Sequence, residues 1–236
     1  MAFDPREEDA RLEGAVNQCM DYLANEGLLA PNLFRTVPPK AIVEAAIEDV
    51  LAGETINFVA VNDPALCTAV LMAGIRRMNK PLFPVHLLDA LAEAQQLSVH
   101  DPPETKHLRA KQILTSAAMQ GTVSSTFLNL VGLLNLLGQN TASNGTSYAQ
   151  LASTFAPDWL PDHGRGQSTA TPEGRAAMQL CTRVMTELII GIYFMFPANE
   201  DDQGGGHPPL NAEQHGQPRP PAAEAAPAGG SPKVGK

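Results

Sequence analysis

Val16-Asn17-Gln18-Cys19-Met20-Asp21-Tyr22-Leu23-Ala24-Asn25-Glu26-Gly27, followed after a short gap by Pro31-Asn32-Leu33-Phe34-Arg35-Thr36, decides how the chain is read. In the first run Val16, Cys19, Met20 and Leu23 fall at i, i+3, i+4 and i+7, one face of a helix, and Gly27 supplies a stop. The second run has no such period. Leu33 and Phe34 turn the backbone inward, and Arg35 follows with a guanidinium that stays charged. A loop built this way anchors itself and pushes one arginine outward. The same residue also fits an ordinary surface arginine near a helix start.

Helical periodicity continues outward from this stretch. Val43, Ala46, Ile47 and Val50 share a face, with Pro38-Pro39 ahead of them and Gly53 past the end. Asp63-Pro64 is a cap followed by proline at the first helical position, and Asn79-Lys80-Pro81 ends that helix near Met78. Leu87, Leu88 and Leu91 belong to a short helix, and 103–119 reads as a weaker one. Phe127, Leu130, Val131, Leu134 and Leu137 make a strong amphipathic helix ending at Gly138. Tyr148, Leu151, Ala152 and Phe155 make another, stopped by Pro157. After a polar loop at 164–169, Thr171-Pro172-Glu173 opens a last long helix carrying Ala177, Leu180, Cys181, Val184 and Leu188. Only Ile56-Asn57-Phe58-Val59 reads as a short extended piece. The expectation is an all-α bundle of roughly seven to nine helices with short connections.

Composition sets the limits. The chain has 236 residues, 44% of them hydrophobic, and a net charge of -9. That balance gives no basic field to attract nucleic acid. The cysteines, Cys19, Cys67 and Cys181, are odd in number and far apart, which argues against a disulfide framework and a zinc module. Cys19 and Cys181 lie on apolar stripes and read as core residues in a reducing compartment. The N-terminus has no apolar run after a basic region, and the longest apolar stretch, 188–197, is about half of the roughly 20 residues a membrane span needs. These features predict a cytoplasmic chain with no transmembrane segment. Residues 198–236 hold seven prolines and seven glycines, with Leu210 and Val234 the only bulky aliphatics. Such a segment reads as a disordered tail. Its Pro218-Arg219-Pro220-Pro221 has the PxxP spacing that an SH3-type reader takes in polyproline form. The domain reading is therefore a flexible N-terminus over 1–10, a helical domain over 11–197 and a tail over 198–236.

The sequence holds no Gly-x-x-x-x-Gly-Lys-Ser/Thr loop, no Gly-x-Gly-x-x-Gly after a strand and no His-Glu-x-x-His. His86, His100, His107 and His163 lack ligand spacing, and His207 and His215 fall in the tail. Asn144-Gly145-Thr146 matches a glycosylation sequon but suits a turn and helix cap. With no self-contained active site, the chain is expected to donate a group to another protein's chemistry and to need no cofactor or metal of its own.

Taken in order, several segments resemble the Rho-family GTPase-activating (RhoGAP) domain. Residues 16–23 with Glu26-Gly27-Leu28 are similar to the helix before that family's arginine loop. Leu33-Phe34-Arg35 is similar to its Gly-Ile/Leu-Phe-Arg, whose arginine is the catalytic finger. Ile75-Arg76-Arg77-Met78-Asn79-Lys80-Pro81-Leu82-Phe83-Pro84 resembles Leu-Arg-Glu-Leu-Pro-Glu-Pro-Leu-Ile-Pro. Leu151-Ala152-Ser153-Thr154-Phe155-Ala156-Pro157 resembles Asn-Leu-Ala-x-x-Phe-Gly-Pro, and residues 183–196 resemble the closing helix. The resemblance covers about residues 12–196. It implies a RhoGAP-like helical bundle, a Rho/Rac/Cdc42-like small GTPase as partner, and GTP and magnesium held by that partner.

The departures fall around the arginine. The family's glycine before aliphatic-Phe-Arg is Asn32, and the glycine three residues after the arginine is Pro38. Asparagine tolerates a left-handed backbone and proline does not. The lysine four residues before the arginine of the third motif is Met72, while Arg76 keeps the arginine. The asparagine of the fourth motif is Gln150, and the glycine of Phe-Gly-Pro is Ala156. The resemblance makes Arg35 the arginine finger in trans and Arg76, Gln150 and Met72 its support or partner contacts. Arg76 either braces the finger loop or is a solvated arginine favoured by the helix dipole. Gln150 either reaches the GTPase or its own loop, or faces solvent. Met72 reads as a partly buried helix residue, Lys80 as a solvated charge, and Trp159 as a core lid or rim residue. The activity implied is acceleration of GTP hydrolysis; the other reading is a RhoGAP-like module that binds GTPases as a scaffold.

Overall fold

Asp4 starts the first helix. Its carboxylate accepts the Arg6 amide at 3.0 Å, and Pro5 occupies the first helical position, where its missing N–H costs nothing. Helix α1 therefore runs Pro5–Tyr22 and reaches back into the stretch expected to be flexible. That early turn has tertiary work. The Asp9 carboxylate accepts the Asn79 amide at 2.7 Å and the Lys80 amide at 3.0 Å, tying the α1 start to the turn before Pro81.

The computed structural model describes residues 4–95, 102–159 and 171–196, all within one unit, Met1–Pro197. The order after α1 is α2 (Lys40–Ala52), α3 (Phe58–Val61), α4 (Pro64–Arg77), α5 (Leu88–Gln95), α6 (Pro103–Met119), α7 (Ser125–Gln139), α8 (Thr141–Asn144), α9 (Tyr148–Phe155) and α10 (Pro172–Met195). Among the described residues there is no strand, and the all-α reading holds. The tail, with its PxxP run, and the loop at 164–169 lie outside the described residues.

Most boundaries follow their punctuation. Gly53 closes α2 with a left-handed φ of 94°. Asp63 caps α4 by accepting the Ala65 and Leu66 amides, each at 3.0 Å. One reading changes. Ile56–Val59 is not extended: Asn57 caps a single helical turn by accepting the Ala60 amide, and Asn62 ends it at φ 49°. Pro157 marks the end of the α-helix as expected, with α9 closing at Phe155. It sits inside a tight 3₁₀ turn, Ala156–Trp159, that continues α9. Proline fits there because the first residues of such a turn need no N–H partner within it.

The core is one cluster. Helix α1 packs against α4, where a Cβ on Gly74 would meet Val16 at 3.0 Å, and it also contacts α2 and α7. Helix α10 packs on α9, α7, α6 and α5. Leu12, Leu23, Leu71, Phe127 and Phe155 are fully enclosed, and burial of each such side chain stabilises by about 1.5–3 kcal/mol. Cys19, Cys67 and Cys181 are buried and unpaired. By length and composition α10 is apolar enough to cross a membrane. One face of it is core, however: Cys181, Val184, Met185, Leu188, Ile189, Ile192 and Met195 are all buried.

Candidate functional site

The end of α1 is wound more widely than the rest. Residues Leu23–Gly27 form a π-turn, a feature that often sits beside functional loops. The chain then runs to Pro39 without a regular helix, and three separate attachments hold it. Asn32 adopts φ 58°, the left-handed region that asparagine tolerates. Its amide donates to the Asn144 carbonyl at 3.2 Å, and its own carbonyl accepts the Arg35 and Thr36 amides at 2.9 and 3.1 Å. Leu33 is buried, and its carbonyl accepts the Thr68 hydroxyl at 2.9 Å. Phe34 meets Phe155 edge to face, with ring centroids 5.6 Å apart.

Arg35 comes directly after these anchors and is exposed. Its side chain has no hydrogen bond or ion pair among the described residues. Pro38 does not disturb this arrangement, because the only residue between Gly27 and Lys40 with positive φ is Asn32. The left-handed turn that glycine would serve is thus made ahead of the arginine.

Beside the loop lies an open groove of about 530 Å³. Leu33, Phe34, Val37 and Pro38 form one side, and Met72, Ala73 and Arg76 of α4 form the other. Met72 is half-buried and packs against the core while presenting its flexible thioether to the groove. Arg76 does not brace the loop; it sits exposed in the last turn of α4, where the helix dipole favours it, and it also has a carboxylate partner. Its Nε donates to Asp158 Oδ1 at 2.8 Å and its Nη2 to Oδ2 at 3.3 Å. The Asp158 side chain is 1% exposed and that of Arg76 48%. The pair joins the end of α4 to the 3₁₀ turn after α9, and no bond runs from Arg76 to the arginine loop. Lys40, also on the groove, pairs with Glu44 at 3.1 Å. Arg77 pairs with Glu48 at 3.0 Å.

Gln150 is turned inward along its own helix. Its Oε1 accepts the Ser147 amide at 2.9 Å, while Ser147 Oγ accepts the Gln150 amide at 3.3 Å. This reciprocal capping box starts α9. Two residues that matter were not singled out in the sequence for these roles. Asp158 is the charge partner of Arg76, and its signal was faint: a single acid after Pro157 in an otherwise apolar run. Asn144 is 1% exposed, and its Nδ2 donates to the Leu28 and Leu137 carbonyls. The sequon reading placed it in a turn, and Gly145 does take a left-handed φ of 71° after it. What could not be read is that this turn holds the arginine loop.

Among the described residues no cysteine lines this groove. A hydrogen bond with Cys67, then burial, pushes the Cys19 thiol far above its usual range, and burial pushes Cys181 up to about 11. Both stay neutral thiols at physiological pH. Among the described residues no group of three His, Cys, Asp or Glu is placed to hold a metal ion. The chemistry available is one unpaired guanidinium on a rigid loop beside a groove of mixed apolar and cationic lining.

The family model of the RhoGAP domain matches residues 14–163. Two solved structures are similar in fold. Human Rho GTPase activating protein 15 is 19% identical with a TM-score of 0.64, the match covering 77% of this chain and 82% of that one. The BH domain from GRAF, the GTPase regulator associated with focal adhesion kinase, is 16% identical with a TM-score of 0.61, covering 80% of this chain and 96% of that one. A comparison with curated protein sequences finds no match.

Proposed function

Because the chain belongs to the RhoGAP domain family, whose members act as activators of Rho-family GTPases, we propose that it accelerates GTP hydrolysis by a Rho/Rac/Cdc42-like small GTPase through Arg35. The domain docks with the groove against the nucleotide-binding face of the GTPase. Arg35 then enters the partner's site in trans. Phosphoryl transfer spreads negative charge over the transferring group, and catalysis rests on positive charge and donors placed there in the absence of water. The planar fork of arginine donates several hydrogen bonds and remains charged when desolvated. GTP, magnesium and the attacking water belong to the partner, so the chain is an activator and not an enzyme with its own centre. A cytoplasmic location, with recruitment to membranes by partners, fits this role.

One observation carries the proposal. Of the cations beside the groove, Lys40 and Arg76 each hold a carboxylate, and Arg35 does not. Fixed at Asn32, Leu33 and Phe34, the loop backbone that carries this exposed, unpaired guanidinium is pre-organised, so the ordering entropy of entering another site falls on the arginine side chain alone. The test is single-turnover GTP hydrolysis by Rho, Rac and Cdc42 with the wild-type chain and with Arg35→Ala. The expected result is stimulation that the variant abolishes; equal stimulation by both would remove Arg35 from the mechanism.

A second reading is supported at Gln150 and Met72. The Gln150 oxygen is committed to Ser147, and Met72 puts a thioether where the resemblance leads one to expect lysine. A domain with the lysine replaced and the Gln150 oxygen turned to its own helix is, on this reading, a module that binds the GTP-loaded partner without catalysis. It gives measurable affinity for the loaded GTPase and no change in hydrolysis rate.

A further inference from the structure

Among the described residues, the Asp158 carboxylate is the most enclosed one to carry an ion pair, and its partner there is Arg76. We infer that Asp158 is a positioning residue for GTPase docking: it holds Arg76 flat on the groove wall, so that the outward donors of the guanidinium are presented to the partner. The inference rests on the activator reading above and adds a residue to it.

The geometry is one-sided. Asp158 takes the Nε edge of the guanidinium with both oxygens, a fork-on-fork arrangement that fixes the plane as well as the position. An arginine has five N–H donors. Those not used by Asp158 have no partner among the described residues, and the side chain is 48% exposed on the groove side. The pair is therefore closed toward the core and open toward the groove. Burying a carboxylate to join two helices is a poor route to stability, since an apolar contact of the same volume does as well or better. What a buried carboxylate gives that an apolar contact does not is a fixed direction for the arginine. Carbonyl and carboxylate oxygens on a docking GTPase are the groups the open donors suit. Neutralising Arg76 has a second effect, since it leaves Arg35 as the unpaired cation beside the groove.

The experiment compares the wild-type chain with Asp158→Asn, Arg76→Gln and the double variant, measuring kcat and KM for stimulated hydrolysis by a GTP-loaded GTPase, with thermal unfolding in parallel. Asp158→Asn is near-isosteric and keeps one acceptor. It should raise KM about tenfold, the worth of one charge-assisted hydrogen bond, and leave kcat within about twofold. The double variant should have the KM of Arg76→Gln alone, because Asp158 acts only through Arg76. A purely structural pin predicts a lowered melting temperature with kcat and KM of the folded protein unchanged, and that result overturns the proposal. So does a raised KM in Arg76→Gln with none in Asp158→Asn. A wild-type chain that fails to stimulate any Rho-family GTPase is a different failure, because it removes the activator reading itself and the proposal with it.

Discussion

Arg35 and Arg76 stand beside the same groove and are held by opposite means. The loop over residues 28–39 fixes the backbone and leaves the guanidinium unpaired. The wall made by α4 and the 3₁₀ turn at 156–159 fixes the guanidinium itself, through a buried carboxylate. On the proposed roles, the difference matches what each does next. A charge that must enter a partner's site cannot be tied to a carboxylate at home without losing that bond on the way. A charge that only receives a partner gains from being immobile beforehand. The comparison can be broken by showing that the two arginines are interchangeable in effect, or sharpened by separating their kinetic signatures.

The largest effect should come from Arg35→Ala. An arginine finger supplied in trans is worth about 10³–10⁵ in rate, roughly 4–7 kcal/mol of barrier. Since the side chain is exposed and makes no hydrogen bond or ion pair among the described residues, the melting temperature should stay put. Arg35→Lys should recover little, as an ammonium lacks the planar fork. If instead Arg35→Ala acts mainly on KM, the two arginines share one role and the contrast fails.

Leu33→Ala comes next and moves the opposite quantity first. Leu33 is 2% exposed, so truncation costs about 2–5 kcal/mol of stability. Denaturant unfolding reads this directly. Stimulated hydrolysis should fall too, because Arg35 loses the anchor two residues before it. A variant that is destabilised yet fully active would mean that the loop need not be rigid for Arg35 to work.

How much of this was readable from residues alone depends on distance along the chain. The loop anchors Leu33 and Phe34 and the left-handed tolerance of Asn32 are local properties, and the sequence carried them. So were the caps at Asp63 and Gly53. The turn at Phe58–Val61 is local as well, yet the sequence reads as extended there, because its ends are set by two asparagines, Asn57 and Asn62, and not by an apolar period. The Arg76–Asp158 pair joins positions 82 residues apart, and nothing in either neighbourhood names the other. Asn144 under the loop is the same case, reaching Leu28 across 116 positions. Local chemistry is legible in a single sequence, whereas long-range partners need packing to be known.

A smaller effect separates the backbone anchor from the apolar one. Thr68→Val keeps shape and removes the hydroxyl that serves the Leu33 carbonyl. The buried carbonyl then lacks its donor, at about 1–2 kcal/mol. With Leu33 still packed, stimulation should drop several-fold less than in Leu33→Ala. A loss equal to that of Leu33→Ala would place the loop's rigidity in this one hydrogen bond.

The smallest effect, and the one that decides between the two functional readings at Gln150, is expected for Gln150→Ala. In the free protein its Oε1 serves the Ser147 amide, and the capping box holds α9 at its start. Removing it costs about 0.5–1 kcal/mol, partly offset because alanine is a strong helix former. The expected outcome is a melting temperature lowered by a few degrees, with kcat and KM unchanged. Gln150→Glu tests the same point from the other side, since glutamate can complete the box while it cannot donate to a partner. If both variants raise KM while Gln150→Glu keeps the wild-type melting temperature, the Gln150 Nε2 donors, which the cap does not use, meet the GTPase on docking, and the groove's polar contacts extend to α9. If neither does, Gln150 is a helix start and nothing more, and partner contact on this face rests on Arg35 and on the arginine that Asp158 holds.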